Sequence, residues 1–245
     1  MMRLSRYGGN PNIAVYAAAC ESLALTAADA SPEFVRDLEE ALGVEVVKTT
    51  VGGSYVVGSL AVMNSHGAIV TDMADDGEVA LIESKLGCAR VVSKLNAFGN
   101  NVLANDYGAI VSPEYSEAAA AEIGDALGVE AVRASIGGIA TVGSVCRATN
   151  KGCVCHMDAS DEEVALILDV LKVEAVRTTA NHGVRAVGAG VLANSKGAVV
   201  GDETTPIEMG RIEEGLVLYR RRLVKTQHSF ISGRSSGIRS ISLPM

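Results

Sequence analysis

Asn105-Asp106-Tyr107-Gly108-Ala109-Ile110-Val111 is a polar turn closed by glycine and followed by an apolar run, and the chain writes it repeatedly. Near-copies stand at Asn64-Ser65-His66-Gly67-Ala68-Ile69-Val70, Thr149-Asn150-Lys151-Gly152-Cys153-Val154-Cys155 and Asn194-Ser195-Lys196-Gly197-Ala198-Val199-Val200. The glycines Gly67, Gly108, Gly152 and Gly197 are 41, 44 and 45 residues apart, and a degenerate fifth copy, Cys20-Glu21-Ser22-Leu23-Ala24-Leu25, begins 44 residues before Asn64. Such a period belongs to repeat architectures, in which one supersecondary unit is copied and none buries its apolar face alone.

Around the turn the rest of the unit can be read. Apolar residues at three- and four-residue spacing, such as Phe34/Val35/Leu38/Leu42 and Val164/Ile167/Leu168/Leu171, predict a helix in each unit with one buried face. Ser31-Pro32-Glu33, Asp75 with Glu78, Ser160 with Glu163, and Thr205-Pro206 with Glu208 mark four helix starts, and Gly43, Gly87 and Gly128 are expected to stop three helices. Strand-like runs follow at residues 44–50, 129–135 and 173–179, then Gly-containing turns (Gly52-Gly53, Gly137-Gly138, Asn181-His182-Gly183), then strands expected through Gly58, Gly99, Gly143 and Gly188. The apolar stretch from Ile13 to Cys20 is too short to span a membrane and reads as the first strand. Five such α/β units can close into a ring of small sheets with helices outside, which removes open sheet edges; a linear solenoid is the alternative.

Residues 1–218 are expected to form one domain of five repeats, and 219–245 a basic tail. The tail carries Arg220, Arg221, Arg222, Lys225, Arg234 and Arg239 with no acidic residue, a formal +6 within a chain of −8, leaving −14 for the body. An acidic body repels phosphate and suits a basic protein partner, so only the tail suits nucleic acid. The three Phe and absence of Trp count against base-stacking RNA modules. Five cysteines without an export signal are expected to be reduced thiols in a cytoplasmic protein.

In a ring the marker turns fall on one face as a polar circle. Asn and Gly are what a tight turn demands whatever its role, whereas His66, Tyr107 and Lys196 are not required by turn geometry and point to docking. From residue 7 to about 218 the chain resembles the translation initiation factor six family, the ribosome anti-association factors of archaea and eukaryotes, in its compact archaeal form. The resemblance rests on Tyr7-Gly8-Gly9-Asn10-Pro11, on residues 42–50, on Leu95-Asn96-Ala97-Phe98-Gly99-Asn100, on residues 103–113 and on residues 194–205. It implies a pentein, the five-bladed α–β propeller with small mixed sheets around a central pore. It also implies binding to the large ribosomal subunit at its intersubunit face, chiefly through a ribosomal protein near the sarcin-ricin loop, with steric exclusion of the small subunit and a link to large-subunit biogenesis. The binding residues it implies are Asn64, Ser65, Asn105, Asp106, Tyr107, Asn150 and Asn194. The resemblance fades after Leu218, and Arg220, Arg221, Arg222 and Lys225 are candidates for rRNA contact.

Rival chemistries lie in Cys153-Val154-Cys155-His156-Met157-Asp158. Other penteins modify guanidinium groups with a Cys nucleophile, so Cys155 is the candidate, although adjacent strand residues point to opposite faces and separate it from His156. A metal reading would add Cys146 across the hairpin, but no second ligand cluster is present. The Gly-rich turns lack the Lys-Ser or Lys-Thr pair of a nucleotide loop. The expectation is therefore a non-enzymatic monomer with no catalytic residue, metal or cofactor.

Overall fold

The computed structural model describes residues 1–218. The chain opens with β1 (Met2–Ser5) and a 3-10 turn (Ile13–Val15), then β2 (Ala17–Ala19), β3 (Leu23–Ala27), α1 (Pro32–Leu42) and β4 (Glu45–Thr49). The second unit comprises α2 (Val57–Leu60), β5 (Val62–Met63), β6 (Ala68–Thr71), α3 (Asp76–Glu83) and β7 (Cys88–Val91). The third has α4 (Phe98–Asn101), β8 (Val102–Ala104), β9 (Ala109–Val111), α5 (Glu117–Leu127) and β10 (Ala131–Arg133). The fourth has α6 (Val142–Val145), β11 (Arg147–Ala148), β12 (Cys153–Cys155), α7 (Asp161–Leu171) and β13 (Ala175–Arg177), and the fifth α8 (Val187–Gly190), β14 (Val191–Asn194), β15 (Gly197–Gly201) and α9 (Pro206–Gly215).

Each unit is an antiparallel hairpin across the marker turn, followed by a helix that returns the chain as a strand parallel to the hairpin's second strand. Five mixed three-stranded sheets result, the α/β pentein architecture expected from the repeat and the resemblance. Among the described residues the fifth unit has no third strand of its own, and β1 supplies it: Met2, Arg3, Leu4 and Ser5 pair in parallel with Ala198, Val199, Val200 and Gly201. The first strand is therefore β1, and the expected strand Ile13–Cys20 divides into the 3-10 turn and β2. Nothing local distinguishes Met-Arg-Leu-Ser as a strand, because its partner lies almost the whole chain away.

A second correction concerns the glycines near the axis. The segments through Gly58, Gly99, Gly143 and Gly188 begin as the single helical turns α2, α4, α6 and α8. With the 3-10 turn they touch one another in a closed circle. A Cβ on Gly99 would overlap the Gly58 carbonyl oxygen, one on Gly143 that of Gly99, and one on Gly188 that of Gly143. Glycine among β-branched residues reads locally as a bent strand, and only the neighbouring turn reveals the close approach.

The long helices begin where capping side chains accept backbone N–H bonds, Ser31 from Phe34 (3.1 Å) and Asp75 from Glu78 (2.8 Å) among them. Ser116 caps α5 in the same way but without the sequence signal of the others, since neither a Pro comes next nor a Glu three residues on. Gly43 and Gly128 end α1 and α5 in the left-handed region (φ 61° and 64°). Gly87 does not play that part: α3 ends earlier, with Ser84 right-handed. Each helix packs on the preceding unit as well as its own, α5 on β6 and β7, α7 on β9, α9 on β12 and β13, and α1 on β15 and β1. Phe34, Leu38, Ile123, Leu127, Ile167, Leu171 and Ile212 are fully enclosed at these seams. Each such side chain contributes roughly 1.5–3 kcal/mol by burial, so the seams between units add substantially to stability. Among the described residues no helix is long and apolar enough to cross a membrane.

A rim of stitched turns as candidate docking site

The five marker turns share a three-position pattern. The first position holds Cys20, Asn64, Asn105, Thr149 and Asn194, and all five are buried. Each Asn folds its side-chain oxygen back onto its own turn, as Asn105 does on the N–H groups of Tyr107 (2.9 Å) and Gly108 (3.2 Å). Its amide then donates to the next unit: Asn64 to the carbonyls of Asn105 and Leu127, Asn105 to Thr149 and Leu171, Asn194 to Cys20 and Leu42. These side chains are satisfied inside the protein and present no polar atom to a partner. Asn64, Asn105 and Asn194, expected as binding residues, are thus buried stitches that fix the turns.

In the fourth turn Thr149 takes the first position and Asn150 the second, as the aligned copies already place them. Thr149 Oγ1 accepts from Lys151 (3.1 Å) and Gly152 (3.3 Å). The second-position residues, Glu21, Ser65, Asp106, Asn150 and Ser195, are half-buried and bond laterally. Asp106 accepts from the Ser65 N–H (2.8 Å) and hydroxyl (2.7 Å) on one side and from the Asn150 amide (2.6 Å) on the other, while its own N–H donates to Asn150 Oδ1 (3.0 Å). Burial disfavours its charge, but these hydrogen bonds outweigh burial and hold the carboxyl below its usual range. Glu21 clamps the other side of the circle through the Ser195 N–H (2.9 Å) and hydroxyl (2.8 Å). Sequence alone does not single out Glu21, because the first repeat is degenerate; its register, 44 residues before Ser65, is the signal that could find it.

The third position faces outward. Ser22, His66, Tyr107, Lys151 and Lys196 are exposed, Tyr107 at 51%. Lys151 Nζ reaches across to the Ser195 carbonyl (2.6 Å), and Lys196 Nζ to Glu21 (3.2 Å) and Gly43 (3.1 Å). The glycine that closes four of the five turns has ordinary backbone geometry; its requirement is space, since a Cβ on Gly108 would overlap the Val170 carbonyl and one on Gly152 that of Gly215. Sequence alone attributes these glycines to the turn, whereas the helix end of the next unit imposes them. Val217 packs against Gly152, so the described chain ends beside this rim. The candidate rRNA contacts Arg220, Arg221, Arg222 and Lys225 lie outside the described residues.

Five stitched repeats with this turn order agree with the comparison to known families, where residues 2–215 match the eIF-6 family. The chain belongs to the eIF-6 family. It is 43% identical to translation initiation factor 6 of Methanoculleus marisnigri over 206 residues, 84% of this chain and 94% of that protein. It is 38% identical to the Picrophilus torridus factor (83% and 94% covered) and 37% identical to that of Methanocaldococcus jannaschii (86% and 96% covered), both also called translation initiation factor 6. Membership of the eIF-6 family places the chain among the factors of translation and protein biosynthesis.

Two features outside the rim bear on the rival chemistries for an eIF-6 family chain. The Gly-rich turns do cradle an anion, and it is the chain's own. Gly52 and Gly53 donate to Glu78 (2.8 and 2.9 Å), Gly137 to Glu163 (2.8 Å), and Gly183 to Glu208 (2.7 Å). Each Glu is also the capping-box residue of the next long helix, α3, α7 or α9. For Glu208 burial opposes ionisation, but bonds from Thr179, Thr205 and Gly183 prevail and bring the pKa to about 2. A recurrent offset of 25 or 26 residues between glycine and glutamate is the sequence signal that could find this clamp.

Cys155, the candidate nucleophile, is fully buried in β12, and burial pushes its thiol up to about 11 against the lowering effect of Arg177. A thiol protonated at neutral pH is a poor nucleophile. His156 is buried too, its Nδ1 accepting from the Asp158 N–H (3.2 Å). Among the described residues, no three His, Cys, Asp or Glu side chains are grouped to hold a metal.

Proposed function

We propose that this chain binds the large ribosomal subunit at its intersubunit face through the rim of turns, and by occupying that face keeps the small subunit from joining. The observation that carries the proposal is the lateral stitching of the rim: Asp106 ties three adjacent turns together and Tyr107 stands exposed on that fixed base. A surface that is already rigid loses little conformational freedom on binding, and a half-exposed Tyr is the side chain best suited to anchor it. Ser65, Asp106, Tyr107 and Asn150 form the contact surface, with Asn64, Asn105 and Asn194 as positioning residues beneath it. The acidic body favours a basic partner such as a small ribosomal protein near the sarcin-ricin loop, through steering and orientation. The role is steric and non-enzymatic, performed by a cytoplasmic monomer without a cofactor, and extends to large-subunit biogenesis.

Sedimentation with separated subunits tests this. The protein should travel with the large subunit alone and reduce joined particles when the small subunit is added; no binding at low salt would defeat the proposal. Tyr107→Ala removes a surface ring and none of the stitches, so its melting should be unchanged. Its affinity should fall by about 2 kcal/mol, roughly thirtyfold in Kd. Wild-type affinity in the folded variant would move the docking face elsewhere.

The basic residues after 218 follow a chain end lying beside the rim, which supports an added salt-sensitive contact with rRNA by Arg220, Arg221, Arg222 and Lys225. Truncation after Leu218 should flatten the fall of binding with salt, since each phosphate neutralised contributes about one to the slope of log K on log salt. An unchanged slope would remove the tail from the interface.

A further inference from the structure

Arg147 opens β11 and lines a chamber on the ring axis together with Ala18, Gly58, Ala61, Gly99 and Leu103. The chamber's free volume is about 20 Å³, enough for a single particle of about the size of water or slightly larger. Its walls are the inner strands β2, β5, β8 and β11, each the terminal strand of its sheet, whose inner edges therefore carry N–H and C=O groups with no strand partner.

The guanidinium is under-satisfied in this setting. Its Nη2 donates to the Gly188 carbonyl (2.9 Å), while its Nε is buried without any partner among the described residues. No carboxylate among the described residues forms an ion pair with it; the titratable groups that act on it are the thiols of Cys146 and Cys153, which burial keeps protonated. Burial lowers the Arg147 pKa to about 10, which still leaves the group cationic at neutral pH. Arg147 as a whole is half-buried, but its enclosed Nε–H is left without a partner among the described residues, and an unpaired buried donor is unfavourable.

We propose that the axial chamber binds one small monovalent anion of chloride size as the counter-ion of Arg147. The guanidinium, through its unpartnered Nε–H, is its donor. Glu21 and Asp106 line the adjoining mouth of the chamber, so a multiply charged anion meets stronger repulsion than a singly charged one.

Bromide is the probe. Crystals of the full chain grown in sodium bromide should show an anomalous peak within hydrogen-bond distance of the Arg147 guanidinium. In solution, the protein should broaden the chloride-35 NMR line, and Arg147→Gln should abolish that excess broadening. A chamber containing water alone in the bromide crystals would overturn the proposal, and that outcome requires no substituted protein to fold. Broadening that persists in a folded Arg147→Gln variant would equally overturn it, by placing the chloride elsewhere.

Discussion

Gly99→Ala is expected to destabilise the protein by more than about 3 kcal/mol, because overpacking here meets backbone rather than a yielding side chain. The new methyl would overlap the Gly58 carbonyl oxygen and come within 2.6 Å of that of Ala61. Neither oxygen can retreat without moving α2, and α2 is held between the 3-10 turn and α4 in the inner circle. The strain therefore spreads to the closure of the ring. Gly210→Ala is the matched control: Gly210 lies within α9, and its new methyl would meet nothing within 4 Å, so alanine should stabilise by roughly 0.5–1 kcal/mol through helix propensity alone. Urea unfolding of both variants checks the pair. Equal effects would mean that the inner circle yields.

Removal of residues 1–6 should have the larger consequence, abolishing most of a stability that for domains in general is about 5–15 kcal/mol. The deletion strips β15 of its parallel partner along four residues. It also removes Arg3, which pairs with Asp37 and Glu40 on α1, the Ser5 hydroxyl bond to Asp37 (2.7 Å) and the Arg6 pair with Asp202. The exposed pairs are worth little singly; the open edge of β15 and the uncovered seam beneath α1 are the main losses. Circular dichroism melting and gel filtration should show early unfolding with self-association. Moving residues 1–6 to follow Leu218 through a short linker should restore cooperative melting, because in the other units the helix leads directly into that strand. A truncated protein that melts like wild type would show that the ring does not depend on β1.

Much of this is legible in the chain itself, and the reason differs from residue to residue. The fivefold unit, the apolar helix faces and the caps at Ser31, Asp75, Ser160 and Thr205 depend on contacts within a few residues, so local spacing records them. The marker turns are visible for the same reason, and their gathering into a circle follows from repetition. Their individual roles are not visible. Asn105 and Tyr107 stand two residues apart in one turn, yet one is enclosed beneath the next unit and the other is open to solvent. The aligned turns already place Asn150 opposite Asp106, but only the structure shows the lateral bond it makes to Asp106 and the turn bond Thr149 makes in place of an Asn.

By itself, then, the amino-acid sequence determined the repeat, the order of helix and strand within it, the acidic body with its basic end, and the membership that those motifs imply. Tertiary structure alone decided that β1 completes the last sheet, that the axial and turn glycines answer to carbonyl oxygens of neighbouring units, that Glu78, Glu163 and Glu208 fill the glycine turns, and that Arg147 stands on the axis with no carboxylate partner among the described residues. The division has one physical cause. Periodicity and capping are short-range and leave their mark within a unit, whereas close approach, burial and charge pairing are properties of surfaces that meet only when the units stand side by side.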